Sequence, residues 1–253
     1  MIIKEVNNKI KIISNINKLS NTLSMISLSK MNKLLKLIVT LDKLNNKAKI
    51  ILTKIYKFKK GINYCIVVTT NKGLCGNINI EILKKTLNFL KNNKNLNLII
   101  IGKKGIDFFF KKKITTKYNI IFNDNEKIEN IFFKKEIIDL LINSRNIYFV
   151  SINIQNNILK PIITNLFYFD KKNEYLNINN FNYIFFIKNY INYSLKNIYI
   201  KNIFCELKSR MITMKSASDN SKTIIKNMKI IKNKIRQFKV TQDMLEIING
   251  SNL

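Results

Sequence analysis

Residues 204–253 read FCELKSRMITMKSASDNSKTIIKNMKIIKNKIRQFKVTQDMLEIINGSNL, with no proline, and no glycine before Gly250. Phe204, Leu207, Met211, Met214, Ser218, Ser221, Ile225, Met228, Ile231, Ile235, Phe238, Gln242 and Leu245 recur in steps of three and four, the period of one stripe along a long helix. Counted from about Tyr190, such a helix runs to roughly 90 Å at 1.5 Å per residue. It cannot bury that stripe on itself, so it needs a partner of similar length.

The other end of the chain offers one. Residues 1–60 also lack Gly and Pro. Ile3, Ile10, Met31, Ile38 and Leu52 fall in one heptad register and Val6, Ile13, Leu34, Leu41, Ala48 and Ile55 in the other, again coiled-coil spacing. Between Asn17 and Lys30 the register softens to Asn, Ser and Thr, and Ile16, Leu19, Leu23 and Ile26 carry an apolar stripe on a rotated face, the drift of a straight helix against a strict heptad. Ser20, Ser24, Ser27 and Ser29 are either ordinary surface residues or a close-packed stretch where two helices, or a helix and an enclosing collar, approach closely.

Gly61 stops the first helix, and the pattern changes. Asn63–Thr70 (NYCIVVTT) and Leu96–Ile101 (LNLIII) are apolar runs suited to strands buried on both faces. The turns NKGLCGN and GKKG follow them, and Ile78–Leu90 and Ile106–Phe110 have helical spacing. Lys117–Phe122 reads as a third strand, Glu126–Asn143 as a helix and Asn146–Asn153 as a fourth strand, while after Pro161 the runs ITNLFYF and EYLNI suggest short edge strands. Asn173–Asn189 has no clear pattern. Alternating strands and helices imply a mostly parallel, open, Rossmann-like α/β sheet. The expected organisation is a shaft helix over 1–60, an α/β domain over 61–185 and a second shaft helix over 186–253.

The net charge of +30, from 45 Lys+Arg against 15 Asp+Glu, points to an acidic partner: nucleic acid, a lipid surface or a carboxylate-rich protein. Lys, Asn and Ile crowd every kind of position, however, as under drift towards A/T-rich codons, and drift takes the larger share of the charge. Cys65, Cys75 and Cys205 are odd in number and have no CxxC spacing, which argues against a disulfide framework or a zinc site. With no His, the commonest general base and metal ligand is missing. No secretory or transit-peptide pattern is expected at the N-terminus, and no run of about 18 uncharged apolar residues spans a membrane.

Three local motifs invite chemistry. Gly73-Leu74-Cys75-Gly76-Asn77 resembles a nucleophile elbow, but Asn77 stands where Gly is needed and no His is available as base, so the loop reads as a turn. Gly102-Lys103-Lys104-Gly105 could cradle a phosphate at a helix start, yet neither loop is GxxxxGK[ST] or GxGxxG, and direct nucleotide binding is not expected. The polar run from Arg236 and Gln237 to Glu246 is either a solvated helix face or a contact surface.

The segment SRMITMKSASDNSKTIIKNMKIIKNKIRQFKVTQDMLEII resembles the C-terminal helix of the gamma subunits of F-type ATP synthases, whose pattern is close to ARMxAMxxATDN followed by NKxRQxxITxELxEIVxGA. VVTTNKGLCGNIN is similar to that family's DRGLCGG segment, LIIIGKKGIDFF to its second strand and turn, and KIKIISNINKLSNTLSMISLSKM to its first helix, IxSxxNTxKITxAMxMVAASK. The match is weak over about 110–190.

The resemblance implies a fold of α/β plus coiled coil: the terminal helices form a long antiparallel, left-handed coiled coil with the α/β domain inserted between them. It implies a central-stalk rotor whose shaft lies in a ring of alternating alpha and beta subunits, and whose α/β foot binds the epsilon subunit and the membrane rotor ring. ATP is made or hydrolysed on the beta subunits, so catalytic residues, metal and cofactors are expected to be none. A shaft without a threefold axis biases each beta subunit differently, and rotation passes those states around the ring. By matching positions, the resemblance implies that Arg236 and Gln237 hydrogen-bond loops of the ring, that Thr241, Asp243 and Glu246 make polar contacts further along, and that Arg210, near the lower coil, Lys30, matching the Lys of the family's ASK, and Leu23 are partner contacts. The implied location is peripheral, on the cytoplasmic face of a bacterial inner membrane, with an organellar inner membrane as the alternative. A basic RNA-binding protein is the alternative reading, and a stand-alone coiled-coil scaffold a further one. Against the first, no aromatic-Gly RNP motif is present, so nucleic acid is not expected as a partner.

Overall fold

The computed structural model describes residues 2–55, 61–93, 95–123, 133–156, 158–167 and 182–250. Two very long helices, α1 (Ile2–Ile55, 54 residues) and α5 (Tyr183–Gly250, 68 residues), enclose the α/β segment in the chain order. Contacts divide the molecule into two compact units, one of residues 1–28 with 210–253, the other of residues 29–209.

In the first unit α1 and α5 run antiparallel. Asn17 Nδ2 donates to the Ser218 carbonyl at 3.1 Å, and Ser24 Oγ donates to the Met211 carbonyl at 3.2 Å, so position rises along one helix as it falls along the other. Ser20, Ser24 and Ser27 of α1 and Ser218 and Ser221 of α5 are all buried. The three α1 serines continue the heptads of Ile3, Ile10, Val6 and Ile13 without a break, and a strict seven-residue repeat is the pattern that winds two helices left-handedly. The stripe expected at Ile16, Leu19, Leu23 and Ile26 is therefore corrected: these side chains are 47%, 63%, 36% and 51% exposed and face away from the helix pair. The close-packed reading of the serines holds for Ser20, Ser24 and Ser27, whereas Ser29 is exposed. Serine is chosen by closeness, since a hydroxyl that bonds to a backbone carbonyl fits where a leucine would push the backbones apart.

On α5 the buried stripe runs through Met214, Ser218, Ser221, Ile225 and Met228 to Ile235. Ile231, expected on it, is 51% exposed, and Lys232 is the half-buried residue instead. Every residue from Arg236 to Gly250 is exposed, including Phe238 and Leu245, which the spacing alone places on the stripe. The reason is length: α1 begins at Ile2, and with Asn17 opposite Ser218 its first turns reach only to about Ile235.

In the second unit five strands form one sheet in the order β3-β2-β1-β4-β5: β1 Asn63–Val68, β2 Leu96–Ile101, β3 Tyr118–Ile120, β4 Asn146–Gln155 and β5 Ile158–Asn165. The first four pair in parallel and β5 returns antiparallel to β4. The order reverses direction from β1, as in doubly wound α/β folds. β5 starts at Ile158 and contains Pro161, which an edge strand tolerates because its missing N–H opens no interior ladder. EYLNI and the first part of the expected 126–143 helix lie outside the described residues, the helix being α4, Lys135–Ile142. The remaining helices are α2, Ile78–Asn92, and α3, Lys103–Lys111.

Alternation along the strands builds two cores. Tyr64, Ile66, Ile99, Ile147 and Phe149 pack with Leu141 of α4, Leu52 of α1 and Ile187, Ile191 and Leu195 of α5. Cys65, Val67, Leu98, Ile100 and Val150 pack on the opposite face with Ile82 of α2, Phe109 of α3 and Cys205 of α5. Both faces are covered, which is why the strands read as continuous apolar runs. Each wholly buried Ile or Leu contributes about 1.5 to 3 kcal/mol.

Candidate functional site

The two loops with catalytic appearance are closed by their own bonds. At the start of α3 the N–H groups a phosphate would need are already taken: Lys103 N–H donates to Asn71 Oδ1 (3.2 Å), Lys104 N–H to the Thr70 carbonyl (3.1 Å) and Gly105 N–H to Thr69 Oγ1 (3.0 Å). Thr69 Oγ1 donates in turn to the Ile101 carbonyl at 3.0 Å. Gly102, at φ 102°, allows this lock, because a Cβ there would collide with the Thr69 carbonyl oxygen. Cys75 is 2% exposed, and Asn79 Nδ2 donates to its Sγ at 3.4 Å. Its carbonyl accepts from Ser209 Oγ at 2.7 Å, so the Gly73–Asn77 loop is a structural staple between β1, α2 and α5. Among the described residues no group of three or more His, Cys, Asp or Glu could hold a metal ion.

The remaining expected residues lie on the surface of the helices. Arg236, Gln237, Thr241, Asp243 and Glu246 all sit on the exposed last turns of α5. Thr241 Oγ1 donates to the Gln237 carbonyl at 2.9 Å, and Gln242 Nε2 to Glu246 Oε1 at 3.2 Å, so these two pairs are brought together along the helix. Arg236 and Asp243 are two turns apart, a spacing that puts both on one side. Among and just after the charged groups stand Phe238 (72% exposed) and Ile247 (71%). Leu23 is on α1 in the first unit, and its carbonyl accepts from Ser27 Oγ at 2.8 Å. Arg210 is half-buried in the same unit, and the exposed Lys30 belongs to the second. Within the first unit Leu23 and Arg210 are not gathered with the α5 group, since Ser24 is bonded to Met211, 25 residues before Arg236.

Sequence reasoning missed two features. One is the outward apolar face of α1, Ile12, Ile16, Leu19, Leu23 and Ile26, which the strict heptad through the serines would have revealed. The other is a polar layer between α1 and α5 in the second unit: Ser194 Oγ donates to Asn45 Oδ1 (2.7 Å), Asn197 Nδ2 to Asp42 Oδ1 (2.9 Å), and Lys201 pairs with Asp42 at 2.5 Å. Asn45 occupies a heptad position, so its buried neighbours on α5 were the available signal.

Comparison with known proteins gives one answer. The ATP synthase family model matches residues 2–252. The ATP synthase gamma chain of Buchnera aphidicola subsp. Melaphis rhois is 33% identical over 288 aligned positions, covering 98% of this chain and 97% of the relative. That of Blochmanniella floridana is 29% identical, covering 99% of both. The fold is similar to a chain of the Euglena gracilis mitochondrial ATP synthase solved as OSCP/F1/c-ring in rotational state 3, with a TM-score of 0.70 over 99% of this chain and 93% of that one at 16% identity. No described helix is long and apolar enough to cross a membrane. With a family match from end to end and a relative at 33% identity, the chain belongs to the ATP synthase gamma chain family.

Proposed function

We propose that this chain is the central-stalk rotor of an F-type ATP synthase, and that it couples turning of a membrane rotor ring to ATP synthesis or hydrolysis on beta subunits. One observation carries the reading: α5 continues for fifteen residues past its partner, Arg236–Gly250, as a helix that nothing among the described residues covers and that is apolar on several sides. Exposed apolar surface of that kind marks a surface made to be enclosed. The outward face of α1 adds to it. A ring of alternating alpha and beta subunits encloses both, and each beta subunit meets a different side of an asymmetric helix pair. Differential contact of this sort is what shifts each site towards a different nucleotide state.

In this reading Arg236 and Gln237 hold loops of the ring, Thr241, Asp243 and Glu246 bond further along, and Arg210, Lys30 and Leu23 are contacts lower on the shaft. The planar guanidinium of Arg236 makes directional, charge-assisted bonds, which suit a catch that holds at some angles and releases at others. The chain divides by role into the shaft helices 1–60 and 186–253 and the foot 61–185. The foot binds epsilon and the rotor ring, at the cytoplasmic face of a bacterial inner membrane, and this chain performs no chemistry itself. An RNA-binding role has no support in the family match.

Reconstitution with alpha and beta chains tests the reading. ATP turnover should appear only when this chain is added, and the complex should copurify without nucleic acid. Arg236→Ala should weaken coupling by about 2 to 5 kcal/mol, more than any single Lys→Ala on the foot. Unchanged ATP-driven rotation and synthesis in that variant would remove Arg236 from the role.

A further inference from the structure

Among the described residues, one end of the α/β unit carries a cluster of lysines beside an exposed aromatic ring. β1, β2 and β4 begin there together, with Asn63 paired to Leu96 on one side and to Asn146 on the other. The helices that return from the far ends of β1 and β2 finish at the same end: α2 at Asn92, just before β2, and α3 at Lys111, just before β3. Lys91, Lys111, Lys112, Lys113 and Lys117 are all exposed, and the Lys117 N–H donates to the Leu98 carbonyl of β2 at 2.7 Å. From Ile82 to Asn123 the chain contains ten lysines and a single acidic residue, Asp107.

The end of α3 is rigid. Lys113 N–H donates to the Phe110 carbonyl at 3.0 Å, and Ile114 N–H to the Phe109 carbonyl at 3.1 Å, the two bonds of a Schellman closure. Its left-handed position, φ 54°, is held by Lys113 although glycine suits it best. Phe108 and Phe109 turn inwards edge to face, with ring centroids 5.4 Å apart, while Phe110 projects outwards at 84% exposure. Favourable interaction with the helix dipole accounts for a lysine in the last turn. It does not account for a phenylalanine in water beside three of them.

We infer that this end of α3 docks on an anionic lipid surface, with Phe110 entering the boundary between headgroups and acyl chains and Lys111, Lys112, Lys113 and Lys117 lying against the lipid phosphates. The surface is complementary in both respects: clustered lysines are attracted to acidic headgroups, and an aromatic ring favours the interface. The inference rests on the membrane-peripheral rotor proposed above and deepens it, since it names a part of the foot that touches lipid directly.

The chain has no tryptophan, so a single introduced one reports its own surroundings. Full-length Phe110→Trp, mixed with vesicles of phosphatidylglycerol and phosphatidylcholine, should shift its emission to the blue and be quenched by lipids brominated near the headgroup. Ile80→Trp, at a 53% exposed site where α2 begins at the far end of the sheet, should do neither. Equal quenching at both sites, or none at position 110, overturns the inference.

At about fivefold for each lysine, converting Lys111, Lys112 and Lys113 to Gln should lower partitioning roughly a hundredfold, whereas Lys226, Lys229 and Lys234 to Gln should lower it no more than about threefold. Similar losses from both triples would mean diffuse attraction and overturn the inference. So would tighter, equally patch-dependent binding to single-stranded RNA than to vesicles. Turnover with alpha and beta chains in solution should be the same for the Lys111–Lys113 triple variant as for the parent. Failure of the parent to support turnover would sink the rotor reading, and failure of the Phe110→Trp signal the lipid contact alone.

Discussion

Asp42→Ala should destabilise the second unit by about 1 to 3 kcal/mol, and most of that loss should vanish if Asn197 is first changed to Leu. The Asp42 carboxylate accepts from Asn197 Nδ2 at 2.9 Å and from Lys201 Nζ at 2.5 Å. Asn197 is 2% exposed, and among the described residues its Oδ1 has no hydrogen-bond partner. Removing the carboxylate leaves the whole amide buried and unbonded, a cost of about 1 to 3 kcal/mol. The Lys201 pair has side chains 33% and 36% exposed, so screening limits it to about 0 to 1 kcal/mol, which the better helix propensity of Ala, about 0.7 kcal/mol, largely offsets. Asn197→Leu, in contrast, removes both the orphaned oxygen and the need for a donor's partner, and should be neutral or stabilising by about 1 kcal/mol. In that background Asp42→Ala loses only the ion pair, at most about 1 kcal/mol. Urea midpoints of the four full-length chains, compared at unchanged m, measure the cycle. If the two substitutions add within about 0.5 kcal/mol, the bond between Asp42 and Asn197 is not what holds the layer, and the reasoning fails.

At the serine layer, Ser24→Leu should cost about 1 to 3 kcal/mol by overpacking, while Ser24→Ala should stay within about 1 kcal/mol; equal effects on the urea midpoint would show that the helices are not closely packed there. Gly102→Ala should cost about 3 kcal/mol or more, because its φ of 102° is strained for Ala and the new Cβ would collide with the Thr69 carbonyl, whereas Gly73→Ala, with nothing within 4 Å, should stay within about 0.5 kcal/mol. Thermal melts of both variants separate these outcomes. Burial pushes Cys65 up to about 12 from 9, does the same for Cys205 against the opposing pull of Lys208 and Lys201, and raises Tyr190 to about 12 from 10 against its Ser194 hydrogen bond. Folded values above unfolded ones mean that the two cysteines contribute fully below about pH 9 and Tyr190 below about pH 10, and that each contribution is lost as pH rises from there to about 12, by about 1.4 kcal/mol per pH unit. Cys65→Ala should flatten that decline in urea midpoints taken across the alkaline range, and an unchanged slope would refute the assignment.

The long helices and the buried parallel strands were legible in the chain itself, because burial repeats at the period of the element: every seventh residue from Ile3 to Leu52, and unbroken apolar runs at Asn63–Val68 and Leu96–Ile101. The identities of the matching motifs at both ends carried the family. Three things needed the tertiary structure. Composition placed the stripe on Ile16, Leu19, Leu23 and Ile26, yet the helices approach too closely there for such side chains, so serines are buried and the leucines and isoleucines turn outwards. The apparent phosphate cradle at Gly102–Gly105 lost its donors to Thr69, Thr70 and Asn71, residues more than thirty positions earlier that only the β1–β2 pairing brings beside it. The stripe on α5 continues in sequence through Phe238 and Leu245, but whether it is covered depends on where α1 begins, and that is set by the antiparallel register of Asn17 on Ser218. Periodicity reports what a helix is ready to bury; only the position of its partner decides what it does bury, and what it leaves for another chain.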